Sequence, residues 1–321
     1  MDLTEKLEPI IIVSSVLVGL MFSKVEFIAQ NTDYMITFFL CMMLFGLFME
    51  VPLGELKNSF KNTKFSLTSL VINFIWTPLF GYFLATLFLK GNIDVMIGFF
   101  MLILTPCTDW YLVFTKMAKG DLTLSLSILP MNLILQIILL PIYLLIFFSS
   151  GNAMDYTQLA QSILIVIVIP FIAAQIVKYL LKNDLKEKIS ELFSSLEIWF
   201  LALAVFCIFA NQGKLLLDNL ESVVTIFVPL VIFFATNTTI DLLLSEKVNF
   251  TYQEYASLTM TTLARNSPLA LAIAINSFPS HELIAIALVI GPLIELPVLY
   301  AVSRFCLWVK DSGLFFVCNY F

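Results

Sequence analysis

A thiol and a carboxylate stand two residues apart in Thr105-Pro106-Cys107-Thr108-Asp109-Trp110. A thiol is a soft ligand that prefers soft metals and metalloids. A carboxylate carries a proton or pairs with a cation. A proline after a hydroxyl residue interrupts or restarts a helix. Far along the chain, Arg265-Asn266-Ser267-Pro268 offers a guanidinium, a carboxamide and a second hydroxyl–proline pair. Another acid, Glu295, lies between Pro292 and Pro297. Cys107, Thr108, Asp109, Arg265, Asn266 and Ser267 are therefore the candidate substrate-binding residues, and Asp109 and Glu295 the candidates for proton coupling. Thr105-Pro106 and Ser267-Pro268 are the expected helix breaks.

The surroundings of these residues decide the class of protein. The 321-residue chain is 60% hydrophobic and 12% charged, with mean hydropathy +0.98. A soluble domain carries roughly 25% charged residues. The composition is that of a polytopic helical membrane protein. The net charge of −6 comes with no basic stripe, so no nucleic-acid partner is expected. Five scattered cysteines, most within apolar runs, do not read as a disulfide framework. The single histidine, His281, sits in a polar connection, and no metal site or cofactor is expected. The acidic start, Met1 to Glu8, and the lack of a small-residue pattern after the first run point to no cleavable signal peptide.

Ten apolar runs read as spans: about Pro9–Phe22, Tyr34–Pro52, Phe65–Leu89, Val95–Met117, Leu122–Phe148, Leu159–Leu181, Leu192–Ala210, Val223–Leu244, Tyr255–Phe278 and Leu283–Val309. Barrel strands would be about half as long and would alternate. Lys57, Lys61, Lys64, Lys116, Lys119, Lys178, Lys182, Lys186, Lys188, Lys247, Arg304 and Lys310 all fall on one side of such a bundle. Lys24, Lys90 and Lys214 fall on the other, which places both termini in the cytoplasm. Asn183 to Ser194 reads as a short amphipathic helix at the cytoplasmic interface. The polar connection Ser149 to Gln158 divides the chain into repeats of five spans, about 9–148 and 159–309. An odd number of spans per half inverts the second half relative to the first, a plan common in secondary transporters. The fifth spans of the two halves carry Asn132-Leu-Ile-Leu-Gln136 and Gly291-Pro-Leu-Ile-Glu295, each starting at a polar or break-prone residue.

The two breaks fall near the middle of the fourth and ninth spans. Each should divide its span into half-helices, with the second half restarting at the Thr-Pro or Ser-Pro pair. Restarted helices aim free N–H groups and partial positive charge into a midplane site. Proline kinks alone are ordinary in membrane helices. Two at matching depth, each beside a charge, point to function. Asp109 and Arg265 would each cost about 2.5–3.5 kcal/mol facing lipid, so the expectation is a pair bridging the breaks, functional or purely structural. Glu295 reads equally as a proton carrier or as a capped structural acid. Asn73, Gln136 and Asn237 read as interhelical glue. Trp76 and Trp110 read as packing or as cavity wall.

Three stretches carry a family resemblance. Pro106-Cys107-Thr108 with Val113-Phe114 and Ala118-Lys119-Gly120-Asp121 resembles the fourth-span signature of the arsenite efflux permeases, a branch of the bile acid/sodium symporter superfamily. Arg265-Asn266-Ser267-Pro268-Leu269-Ala270-Leu271-Ala272-Ile273-Ala274 is similar to the superfamily's ninth-span crossover. Gly291 to Leu299 is similar to the tenth-span motif of the arsenite branch. The resemblance implies ten helices in a panel and a core domain, crossed broken helices and elevator-like alternating access. It places the metalloid-handling cysteine on Cys107. The ninth-span glutamate of the permeases falls on Ala270, and the sodium-site Glu and Gln of the symporters fall on Thr261 and Arg265. An arginine in that place makes proton coupling the expectation rather than sodium.

The expected function is a multi-pass cell-membrane transporter exporting arsenite or a related oxyanion with protons. The alternative is a sodium- or proton-coupled carrier of small organic anions, with Arg265 binding the carboxylate. A channel would need a continuous polar stripe that these spans do not show. A membrane enzyme would need a nucleophile–base set or a metal cluster.

Overall fold

A computed structural model of the chain describes residues 3–23, 26–50, 62–108, 110–148, 161, 164–181, 183–218, 220–278 and 280–312. Among these, the regular elements are all helices. In chain order they are α1 (Leu3–Phe22), α2 (Glu26–Glu50), α3 (Thr63–Phe88), α4 (Ile93–Leu104), α5 (Trp110–Met117) and α6 (Leu122–Phe148). Then follow α7 (Ile169–Leu180), α8 (Asn183–Asp218), α9 (Leu220–Val224), α10 (Phe227–Val248), α11 (Tyr252–Leu263), α12 (Ser267–Ser277) and α13 (Glu282–Asp311).

Among the described residues, five helical segments are long and apolar enough to cross a membrane: Thr63–Phe88, Leu122–Phe148, Lys188–Asn211, Phe227–Val248 and Glu282–Asp311. Shorter apolar helices cover Val13–Phe22, Tyr34–Met49, Ile93–Leu104, Ile169–Leu180 and Ser267–Ser277. The fold is that of an all-α polytopic membrane protein. On α3 the exposed residues Leu67, Val71, Ile75, Leu79, Phe83 and Leu87 recur every four positions and make one lipid-compatible stripe. The opposite side of α3 buries Ser69, Asn73 and Thr77 against other helices. The same helix is thus apolar toward lipid and polar toward the bundle, which fits interhelical bonding in a membrane.

Two packing groups are visible. Helices α1, α2, α7 and α8 pack on one another, while α3, α4, α5, α6, α10, α11, α12 and α13 form the second group. They meet chiefly where α2 touches α12 and where α8 touches α13. In the second group α4 crosses α13 closely, and glycine permits it. A Cβ on Gly98 would lie 2.7 Å from Ala287 Cβ, and one on Gly291 would lie 2.5 Å from Leu102 Cδ1.

Two sequence expectations change here. Asn183 to Ser194 is not a separate interfacial helix but the first part of α8. No glycine or proline interrupts the chain before Gly213, so nothing stops the helix, and it runs about 54 Å at 1.5 Å per residue. Gly291-Pro292, read as break-prone, lies inside continuous α13, where the glycine serves close packing. Pro78 also leaves its span unbroken. A π-helical turn at Ile72–Trp76 absorbs it, and the Tyr143 hydroxyl of α6 donates to the Phe74 carbonyl, the acceptor that proline leaves without an N–H. That turn also presents Asn73 and Trp76 to the centre of the second group.

Candidate functional site

The two interrupted spans meet at their interruptions. Helix α4 ends at Leu104 and α5 begins at Trp110, while α11 ends at Leu263 and α12 begins at Ser267. Thr105 and Ala264 are extended, with φ/ψ of −103°/100° and −68°/137°. Pro106 and Arg265 form an antiparallel bridge. The Cys107 N–H donates to the Ala264 carbonyl at 2.9 Å, and the Asn266 N–H donates to the Thr105 carbonyl at 2.6 Å. Backbone groups freed by each break are thereby satisfied by the other, as a dry interior demands.

The restarts differ from the expected positions. In the first break the helix resumes at Trp110, not at Pro106. Pro106 is engaged in the bridge, and the Cys107 N–H is used across the crossing rather than in a new helical turn. Thr105 sits just past the end of α4, its hydroxyl 3.3 Å from the Met101 and Leu102 carbonyls and 3.1 Å from the Asn266 carbonyl. In the second break Asn266, not Ser267, caps the new helix, accepting from the Leu269 N–H at 3.1 Å. Ser267 and Pro268 are the first two helical residues. The Asn266 carboxamide also donates to Thr108 Oγ1 at 3.1 Å. Cys107, Thr108, Arg265, Asn266 and Ser267 are all at most 4% exposed.

Arg265 is the centre of this arrangement. Its guanidinium donates to the Ile103 carbonyl at 2.9 Å, the Leu263 carbonyl at 3.2 Å, the Thr262 carbonyl and Asn73 Oδ1 at 3.4 Å. Ile103 lies at the end of α4, and Thr262 and Leu263 at the end of α11. The cation therefore neutralises two converging helix C-termini, where carbonyls lack partners and the macrodipole is negative. The guanidinium carbon also lies 5.0 Å from the centre of the Phe233 ring. The N-termini of α5 and α12 remain at the crossing with their partial positive charge.

The acids are distributed unequally. Glu295 of α13 accepts the Arg265 backbone N–H through Oε1 at 2.7 Å. Asp109 lies outside the described residues, and the expected Asp109–Arg265 pair with it. Asp241 of α10 is fully buried, accepts from Thr262 Oγ1 at 2.6 Å and lies within electrostatic reach of Arg265, as do Glu295 and Cys107. The sequence reading passed over Asp241. Its signal is a carboxylate inside the apolar run Val223–Leu244, only three residues from the run's polar end. Helix α10 continues to Val248 and puts the acid deep in the bundle.

The polar span residues behave in two ways. Asn73 reaches the Thr261 carbonyl at 3.4 Å, and the Trp76 indole N–H donates to Asn237 Oδ1 at 2.8 Å. Asn132 and Gln136, buried on α6, have no hydrogen-bond partner among the described residues. His281, before α13, pairs with Asp94 at the start of α4, Nδ1 to Oδ1 2.8 Å. Among the described residues no cluster of His, Cys, Asp and Glu could hold a metal ion.

The model of the sodium bile acid symporter family matches residues 37–219, which include the first break and stop short of the second. The chain is 26% identical to the arsenical-resistance protein Acr3 of Corynebacterium glutamicum, over 75% of this chain and 69% of that one. It is 25% identical to the arsenical-resistance protein Acr3 of Alkaliphilus metalliredigens, over 82% of this chain and 78% of that one. An uncharacterized transporter of Synechocystis is 23% identical, over 86% and 79% of the two chains.

Proposed function

The chain belongs to the sodium bile acid symporter family, and from that premise we propose that this membrane transporter exports arsenite or a related oxyanion in exchange for protons by alternating access. The observation that carries the reading is Cys107, buried in the crossing, held by its backbone against Ala264 and within electrostatic reach of Arg265. A thiol is a soft ligand of the kind that binds a soft metalloid. Thr108 and Asn266 place a hydroxyl and a carboxamide beside it, and Asp109 and Ser267 complete the proposed binding set. Resemblance to two arsenical-resistance proteins supports the same substrate class.

The coupling ion follows from Arg265. A permanent guanidinium among carbonyls of two helix ends occupies the kind of oxygen-rich position that a bound cation would otherwise neutralise. Transport is accordingly independent of sodium, and a carboxylate takes and releases the proton, with Asp109 and Glu295 the candidates from sequence. The organic-anion alternative needs Arg265 to hold a carboxylate, yet the guanidinium already donates four hydrogen bonds to the protein. The proposed frame is ten spans in two inverted repeats, about 9–148 and 159–309, with both termini cytoplasmic.

Everted membrane vesicles test the proposal. Arsenite should accumulate inside them when the interior is made acid, equally with and without sodium, and a protonophore should abolish it. Strict sodium dependence would overturn the coupling. Movement of organic anions alone would overturn the substrate.

A further inference from the structure

Asp241 has no assigned role in the crossing, and its surroundings are unlike those of the other acids. It is fully buried on α10. Oδ2 accepts from Thr262, while Oδ1 has no hydrogen-bond partner among the described residues. A buried carboxylate that stayed ionised would be expected to collect donors on both oxygens. Glu295, in contrast, is held by a backbone N–H at the second break.

The Thr262 hydroxyl makes two charge states of Asp241 tolerable. It has a single proton and three acceptors in reach: Asp241 Oδ2 at 2.6 Å, the Leu258 carbonyl at 3.0 Å and the Thr259 carbonyl at 3.2 Å. With Asp241 ionised, the hydroxyl donates to Oδ2. With Asp241 protonated, the carboxyl O–H donates to Thr262 Oγ1, and the hydroxyl turns to a carbonyl one turn back. Rotation about a single bond keeps the hydrogen bond in both states. Arg265, within electrostatic reach, is a fixed counter-charge for the ionised one.

A route for the proton lies on the same helix. Asn237 Nδ2, Asp241 Oδ1 and Ser245 Oγ are buried, four residues apart on one face of α10, and unpartnered among the described residues. They span about 12 Å at 1.5 Å per residue, ending beside exposed Glu246 and Lys247 near the helix end. Buried polar atoms without protein partners are sites where water binds. Among the described residues, the other titratable groups near Asp241 are Tyr255 of α11 and Cys306 of α13, whose thiol lies 3.7 Å from the tyrosine hydroxyl. From α3, the tyrosine Tyr82 packs instead on Phe100 and Phe147.

We propose that Asp241 is the carboxylate that takes up and releases the coupled proton, with Thr262 as its switching partner and the Asn237–Ser245 face as its path to the membrane surface. The assignment rests on the proton-coupled reading above. No bond other than O–H forms or breaks: a proton arrives from water on that face, neutralises the carboxylate, and leaves later in the cycle.

The test has one arm that needs no substrate. Infrared difference spectra of the purified full chain between alkaline and acid pH report protonated carboxyl C=O stretches. Asp241→Asn should remove one titrating band, Asp241→Glu and Thr262→Val should shift it, and Glu295→Gln should leave it in place. A complete set of bands in Asp241→Asn overturns the proposal. If Asp241→Asn does not fold, an unshifted spectrum in both Asp241→Glu and Thr262→Val overturns it equally. The second arm uses arsenite in proteoliposomes. Asp241→Asn should lose gradient-driven accumulation by about tenfold or more, a usual size for a lost coupling, while arsenite counterflow, which moves no net proton, persists. Accumulation at the wild-type level in Asp241→Asn overturns the proposal. A wild-type chain that moves no arsenite refutes the transport reading instead, and the infrared arm still decides Asp241.

Discussion

The two breaks that cross at the site are built in different ways. The second, Ala264 to Asn266, is short and saturated with bonds. Glu295 takes its central N–H, the Arg265 guanidinium ties the ends of α4 and α11 together, and Asn266 caps α12 while reaching Thr108. The first, described from Thr105 to Thr108, is longer, and the bonds that fix its backbone at Thr105 and Cys107 come from the second break. One break is therefore the frame and the other carries the thiol. A crossing of this kind can keep its geometry while the reactive residue is exchanged, but cannot lose its frame.

Arg265→Gln should break that comparison most severely. It removes a buried cation and strands the carbonyls of Ile103, Thr262 and Leu263. Loss of one partner from a buried charge network costs about 3–5 kcal/mol. Little folded protein, or a large fall in Tm in detergent, is the expected result. A wild-type Tm would show that the second break is not the frame. Asn266→Ala should have a smaller effect, about 1–2 kcal/mol, since it removes one helix cap and one tie to Thr108. Thermal unfolding of the purified protein reads it, and an effect as large as that of Arg265→Gln would mean that the cap, not the cation, holds the crossing.

Much of this frame was legible before any coordinates. A proline beside a hydroxyl residue within an apolar run is a local signal, and two at matching depth located the crossing. The charge of Arg265 in such a run demanded burial, because lipid does not tolerate it. Its partners were not legible in the same way. They are mostly carbonyls at helix ends, which every residue has and no residue type marks. Asp241 was hidden for a different reason. Leu242, Leu243 and Leu244 are followed by Ser245-Glu246-Lys247, so the acid looks close to a polar boundary until α10 is seen to continue. Pro106 misled on the restart because its role is across the crossing, and no pattern along one strand of sequence shows which other segment will pair with it.

Cys107→Ser should have the smallest effect on stability, and so sharpens the contrast between frame and chemistry. The thiol belongs to the first break, whose backbone bonds are main-chain groups that serine retains. Serine has nearly the same shape, and a hydroxyl at a polar crossing finds acceptors, so the change in Tm should correspond to about 1 kcal/mol or less. Export should respond in the opposite sense. A hydroxyl does not ionise near neutral pH and is a hard ligand with little affinity for a metalloid. Arsenite accumulation in everted vesicles should fall to background in a protein that remains folded. Full export by Cys107→Ser would separate the crossing from thiol chemistry altogether, leaving the hydroxyls, the amide and the helix N-termini to bind the solute, and would shift the reading toward an oxygen-rich substrate recognised by hydrogen bonds alone.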